Sequence, residues 1–187
     1  MDQKEIEQLL KDTGVIMDGH FLLTSGLHSS RFMQCSQLLQ FPERAQKICQ
    51  MLAEPYQGDG VNVVIGPAMG GVILAYETAR ALNARAIYAE PVEGKMALRR
   101  GFKVSPGEKV LVVEDAVTTG GSVSKVLALL ESIGVAAVGI AVMVDRSAGR
   151  VDFGLPAHSL LQVEIESFKP EQCPLCLEGI PLQKPKN

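Results

Sequence analysis

Residues 110–122 read Val110-Leu-Val-Val-Glu114-Asp115-Ala116-Val117-Thr118-Thr119-Gly120-Gly121-Ser122. Four apolar residues running into two adjacent carboxylates predict a buried strand that ends in those acids. Two threonines and two glycines follow, and Ser122 is placed to cap a helix that carries Val123, Val126, Leu127, Leu130 and Ile133 on one stripe. Gly134 then supplies a left-handed stop.

The same strand-to-helix pattern recurs on either side. Val61–Ile65 is a short apolar run closed by Gly66-Pro67, and Gly70-Gly71 opens a helix with the stripe Val72, Ala75, Tyr76, Ala79 and Leu82. Strands are predicted at 86–89, 109–113, 137–144 and 160–165. Strands alternating with helices of 10–14 residues mean βαβ units. With near-continuous apolar strands and right-handed crossovers, the fold class is α/β. It is a doubly wound, mainly parallel sheet with helices on both faces. Upstream, Ile6, Leu9 and Leu10 mark a helix over 3–12. Residues 20–35 read as extended pieces around a turn at Ser25-Gly26, and 43–53 as a second helix. The expected organisation is one domain over 1–187, with an N-terminal hood over about 1–40 and a proline-rich surface tail over 170–187.

Composition narrows the class of function. The 187 residues are 47% hydrophobic and 21% charged, which excludes wholesale disorder. A net charge of −3 without a basic run leaves no footprint for nucleic acid. No apolar run has the length of a membrane span, and the polar start Met1-Asp2-Gln3-Lys4-Glu5 does not read as a signal peptide. The expectation is a soluble cytoplasmic protein. Four cysteines are too sparse for a disulfide framework. Cys173-Pro-Leu-Cys176 has zinc-knuckle spacing, but no second Cys or His pair matches it in sequence, so the segment is read as packed tail. His20, His28 and His158 are isolated in the sequence and are assigned no chemistry.

In doubly wound sheets ligands bind at the carboxyl ends of strands. Three loops stand there: 66–71, 114–122 and 145–150. In 114–122, glycines let the backbone approach a ligand, hydroxyls add donors, and the helix N-terminus adds about half a positive charge. That is a phosphate cradle without a lysine. Glu114 and Asp115 accept hydrogen bonds from sugar hydroxyls or ligate a hydrated divalent cation. Diol acceptors beside a phosphate nest fit a ribose 5-phosphate. The Walker and dinucleotide glycine patterns are both absent.

Val110–Ser122 resembles the 5-phosphoribosyl 1-pyrophosphate motif of the type I phosphoribosyltransferases. The resemblance implies the phosphoribosyltransferase-like fold and a phosphoribosyl pyrophosphate site formed by Glu114, Asp115, Ala116, Val117, Thr118, Thr119, Gly120, Gly121 and Ser122. Two further segments, Leu23–Gln34 around Ser25-Gly26 and Val144-Asp145-Arg146-Ser-Ala-Gly149-Arg150, resemble the orotate branch of that family. They imply orotate contacts from Arg146, Thr118, Phe32 and Met33. An arginine fork suits a carboxylated base. Gly66-Pro-Ala68-Met69-Gly70-Gly71 resembles the family's pyrophosphate loop, with Ala68, Met69 and Gly70 as contacts.

The sequence departs from the family at Thr24 and Gly70, where many members carry lysines, and at Pro91, where many carry an arginine. The charged 90–104 segment is the replacement source. It is read as a mobile loop or exposed hairpin, with Lys95 as its catalytic lysine and Arg99 or Arg100 as a further contact. The resemblance also implies Mg²⁺ carried on phosphoribosyl pyrophosphate with no metal ligated directly by the protein, and a homodimer with a shared active site. A purine phosphoribosyltransferase, or a non-catalytic sensor of phosphoribosyl pyrophosphate, are the other readings of the same motif.

Overall fold

The computed structural model describes residues 3–23 and 25–185. In chain order the elements are α1 (Gln3–Asp12), β1 (Ile16–Leu22), β2 (His28–Met33), α2 (Ser36–Leu39), α3 (Pro42–Ala53), β3 (Val63–Pro67), α4 (Gly70–Leu82), β4 (Arg85–Val92), β5 (Lys95–Ala97), β6 (Val110–Val117), α5 (Gly121–Ser132), β7 (Ala137–Asp145), β8 (Ala157–Gln162), β9 (Ser167–Phe168) and α6 (Pro174–Leu177). They form two compact units, one running from Leu39 to Val163 and one built from the chain up to Leu38 and from Glu164 onward.

The larger unit is a six-stranded sheet in the order β5-β4-β3-β6-β7-β8. The pairs from β4 to β8 are parallel, and β5 alone runs antiparallel, against β4. Val63–Pro67 and Val110–Val113 are wholly buried because both faces of these strands are covered. On one face Val63, Ile65, Val110 and Val112 pack with Val123, Val126 and Leu130 of α5. α4 packs on β3, β4 and β6, and α3 packs on α4 and β7.

The chain leaves β3 through α4 to β4 on one side. It then returns to place β6 on the other side of β3. The carboxyl ends of β3 and β6 therefore flank the point where the winding reverses, the place where such sheets open a crevice.

Three expectations are refined here. β6 continues past the apolar run through Glu114, Asp115 and Ala116 to Val117, so the acids sit in the strand. The buried stripe of α4 is Gly71, Leu74, Ala75, Thr78 and Ala79, while Tyr76 is 65% exposed. Two stripes about 100° apart share the same i, i+3, i+4 spacing, and periodicity does not choose between them. Ser122 does not cap α5. The cap position is Gly120, at φ 75, and no side chain bonds to this end. The other end of α5 behaves as expected: the Gly134 and Val135 amides donate to the Glu131 and Leu130 carbonyls.

The smaller unit is an antiparallel sheet, β1-β2-β9, with α1 packed on β1. Ile6, Leu10, Val15, Ile16, Phe21 and Leu38 are buried. The C-terminal segment is fastened to this unit. Phe168 pairs with His28, the Gln183 amide donates to the His20 carbonyl at 2.7 Å, and the Leu22 amide donates to the Gln183 carbonyl at 2.9 Å. His20 and His28 are likewise not isolated. Their facing ring nitrogens are 3.0 Å apart, with Cys173 and Cys176 against them.

Candidate active site

A cavity of about 240 Å³ lies at the carboxyl end of β6. Glu114, Ala116–Val123 and Lys125 line it. The first amides of α5 are without intrahelical partners, and no side chain takes them. Gly121, Ser122 and Val123, which carry these amides, line this space together with Thr118 and Thr119. Gly120 is required twice over. Its φ of 75 is left-handed, and a Cβ there would meet Val151 and Phe153 at 2.7 and 2.8 Å.

The two acids point different ways, as neighbours in a strand must. Glu114 turns into the cavity and is only 6% exposed. Its Oε1 accepts the Asp115 amide at 3.0 Å. Burial, and then the charge of Asp115, push its carboxyl up to about 8. Burial also raises Asp115. Asp115 faces the other loop, where a Cβ at Gly70 would fall onto its carboxylate oxygens. Gly70, which stands where the family's lysine is expected, is therefore held side-chain-free by Asp115. Ala68 and Met69 are joined by a cis peptide bond, and Met69 is the residue before α4.

The parallel register Val117↔Asp145 sets Thr118 beside Arg146, whose amide donates to the Val117 carbonyl at 2.7 Å. Asp145 does not pair with Arg146. Its Oδ1 accepts the Ser147 amide and hydroxyl at 2.7 and 2.6 Å, and its Oδ2 accepts the Gly149 amide at 2.8 Å. Asp145 thus builds the turn. Among the described residues Arg146 has no ion-pair partner, and its buried Nε has no hydrogen-bond partner.

Other expected residues stand elsewhere. Residues 85–97 form a β4–β5 hairpin turning at Glu93-Gly94, which is the hairpin alternative for this segment. Lys95 is exposed and lines a separate cavity with Lys125, Ala128 and Leu129 on the flank of α5. Arg99 is exposed, and Arg100 pairs with Glu90 at 2.5 Å. Phe32 and Met33 belong to the smaller unit, where the pleat turns their side chains to opposite faces. Thr24 lies outside the described residues. Lys125, which the sequence reading passed over, lines both cavities. It stands one helical turn after Gly121, on the same face, and that i, i+4 spacing was the available signal.

Residues 34–171 match the phosphoribosyl transferase domain family. The orotate phosphoribosyltransferase of Desulforamulus reducens is 50% identical over 99% of this chain and 97% of its own. That of Thermotoga maritima is 52% identical over 96% of each. The chain belongs to the orotate phosphoribosyltransferase family. A solved structure of the family, the orotate phosphoribosyltransferase of Aeropyrum pernix, superimposes with a TM-score of 0.71 at 28% identity, covering 84% of this chain and 93% of that one. The family's fold is the doubly wound sheet described above. The phosphoribosyltransferase motif read from the sequence is the cavity-lining segment of β6 and α5.

Proposed function

We infer that the chain transfers the 5-phosphoribosyl group from 5-phosphoribosyl 1-pyrophosphate to orotate, releasing orotidine 5′-monophosphate and pyrophosphate in pyrimidine biosynthesis. Membership of the family supports the reaction class. The observation that carries the base is Arg146, which follows Asp145 at the register position next to Thr118 and whose buried Nε has no hydrogen-bond partner.

The amides and hydroxyls of 118–122 hold the 5-phosphate at the positive end of α5. Glu114 and Asp115 accept the ribose hydroxyls. As positive charge develops at the anomeric carbon, the negative charge that the pair retains while Glu114 holds its proton stabilises it electrostatically. Arg146 orients the base through its carboxylate, so that the ring nitrogen meets the anomeric carbon in line. Ala68, Met69 and Gly70 present the β3–α4 turn to the diphosphate. Lys95 and Arg99, carried on the β4–β5 hairpin and the segment after it, offset leaving-group charge when that segment closes.

Mg²⁺ carried on the diphosphate would neutralise part of its charge, and the hard carboxylate oxygens of Glu114 and Asp115 are acceptors that would hold its water shell without ligating it directly. The protein works as a homodimer in the cytoplasm, with the 90–104 segment shared between subunits. Ile73 and Tyr76 of α4 and the adjacent Met69 are exposed apolar side chains of the kind an interface covers. No helix among the described residues is long and apolar enough to cross a membrane.

The test is base consumption with phosphoribosyl pyrophosphate and Mg²⁺. Orotate is expected to be consumed, and adenine, hypoxanthine, xanthine and uracil to be left intact. Turnover of a purine instead would reassign the base. Binding of phosphoribosyl pyrophosphate without turnover of any base would make the chain a sensor.

A further inference from the structure

We propose that His20, His28, Cys173 and Cys176 form a structural zinc site that fastens the C-terminal segment to the β1–β2 hairpin. All four residues lie in the smaller unit, away from the catalytic motif in sequence. Their four ligand atoms fall within 4.8 Å of one another.

Four of the six separations between these atoms are close to the edges of a tetrahedral zinc site. His20 Nε2 and His28 Nδ1 are 3.0 Å apart. Cys173 Sγ is 3.5 Å from His20 Nε2, and Cys176 Sγ is 3.7 Å from His20 Nε2 and 3.3 Å from His28 Nδ1. Zinc bonds of about 2.0–2.1 Å to nitrogen and 2.3 Å to sulfur, at tetrahedral angles, give about 3.3 Å between nitrogens and about 3.6 Å between nitrogen and sulfur. Two sulfurs and two imidazole nitrogens in that geometry select zinc over magnesium or calcium, which take oxygen. Four protein ligands leave no open position, so the site is structural.

The outer shell is already in place. His20 Nδ1 lies 2.7 Å from the Ile180 carbonyl. That carbonyl only accepts, so Nδ1 carries the ring proton and Nε2 presents its lone pair to the cluster. His20 and Cys173 are each 1% exposed. Lone pairs converging at a buried point repel unless a cation or protons bridge them.

The hairpin register builds half the site. Leu22 pairs with His28, so His28 lies diagonally across from His20. The other half needs the chain beyond β9. A tight turn at Pro170–Gln172 delivers Cys173, one turn of helix delivers Cys176, and Gly179, at φ 69, sends the chain back toward His20.

Apolar burial does not account for the order of this segment. Between residues 169 and 185 only Cys173 is buried, and Leu177 is 87% exposed. Metal binding supplies the missing anchor. Zn²⁺ displaces one proton from each thiol, so two protons leave and the four-ligand complex is neutral.

The test uses the full chain purified without chelator or metal-affinity steps. About one zinc per chain is expected to survive dialysis, with X-ray absorption showing two sulfurs and two nitrogens around it. Removal by a strong chelator lowers the melting temperature. Adding Co²⁺ alone then gives the visible bands of tetrahedral cobalt and a sulfur-to-cobalt charge-transfer band. Cys176→Ser and His28→Gln each weaken zinc binding by more than the roughly 10–100-fold that losing an outer-shell partner costs, while Cys35→Ser leaves it unchanged. The parent protein decides the question even if a variant does not fold. Less than about a tenth of an equivalent after incubation with Zn²⁺ and dialysis overturns the site. So does an oxygen-rich zinc environment, or a Cys173–Cys176 disulfide whose reduction restores no zinc uptake.

Discussion

Replacing Glu114 with Gln is expected to make the protein more stable while impairing it as an enzyme. The amide keeps the volume of the side chain, and its Oε1 still accepts the Asp115 amide, now at 3.0 Å. What it removes is a proton equilibrium. In the folded chain the Glu114 carboxyl is raised from 4.5 to about 8 by burial and by Asp115. Below pH 4.5 folded and unfolded chains both hold the proton, so parent and variant should match. As pH rises from 4.5, the unfolded chain gives the proton up and the folded chain does not. Each pH step therefore costs the parent up to about 1.4 kcal/mol of stability. The cost accumulates until the folded carboxyl ionises near pH 8 and is constant above it. Its ceiling is about 5 kcal/mol over that span, and sharing of charge with Asp115 brings it below that ceiling. Urea melts of both proteins from pH 4 to 9 measure this directly. The gap should open with pH, level off near pH 8, and accompany a fall in kcat. A difference that is the same at every pH would refute the reasoning, because a buried, proton-holding Glu114 cannot produce it.

Arg146→Ala should raise the orotate KM about 10- to 150-fold, the loss of a hydrogen bond to a charged group, with a much smaller change for phosphoribosyl pyrophosphate; steady-state kinetics with each substrate varied separate the two. Gly70→Ala places a methyl group on the Asp115 carboxylate, and kcat should fall with a stability loss of about 1–3 kcal/mol in denaturant melts. Lys125→Ala should weaken phosphoribosyl pyrophosphate several-fold and reduce the salt dependence of its KM, as expected for an exposed cation. Lys95→Ala and Asp115→Asn homodimers should each be nearly inactive. Mixed dimers should recover activity if the 90–104 segment closes over the partner's site, and should stay inactive if it closes over its own.

The sheet was legible because its strands are apolar throughout, and a run such as Val110–Val113 admits little besides a strand covered on both faces. The segment that lines the cavity at the end of β6 was legible because acids, hydroxyls and glycines are contiguous in it. The facing of α4 was not, since two stripes satisfy the same spacing and only packing against β3 and β4 selects Leu74 over Tyr76. Asp145 and Arg146 were legible as a pair, yet their separate tasks depend on which acceptor Ser147 and Gly149 find. The His–Cys cluster was hidden for a different reason. Its members come from opposite ends of the chain, and no local spacing links His20 with Cys176 until β9 closes on β2.

That closure has a consequence for synthesis. The larger unit is one continuous run from Leu39 to Val163 and has all its strands before the last residues are made. The smaller unit is not continuous. When β1 and β2 leave the ribosome they are a lone two-stranded hairpin, marginal by itself, with the edge that will receive β9 unpaired. The residues that complete it, through Gln183, follow about 150 positions later, a wait of about 8–30 s at about 5–20 residues per second. Through that interval the β1–β2 hairpin waits for the strand that completes its sheet. A nascent-chain chaperone that shields open strand edges has its binding window here, and translational pauses before residue 167 lengthen it.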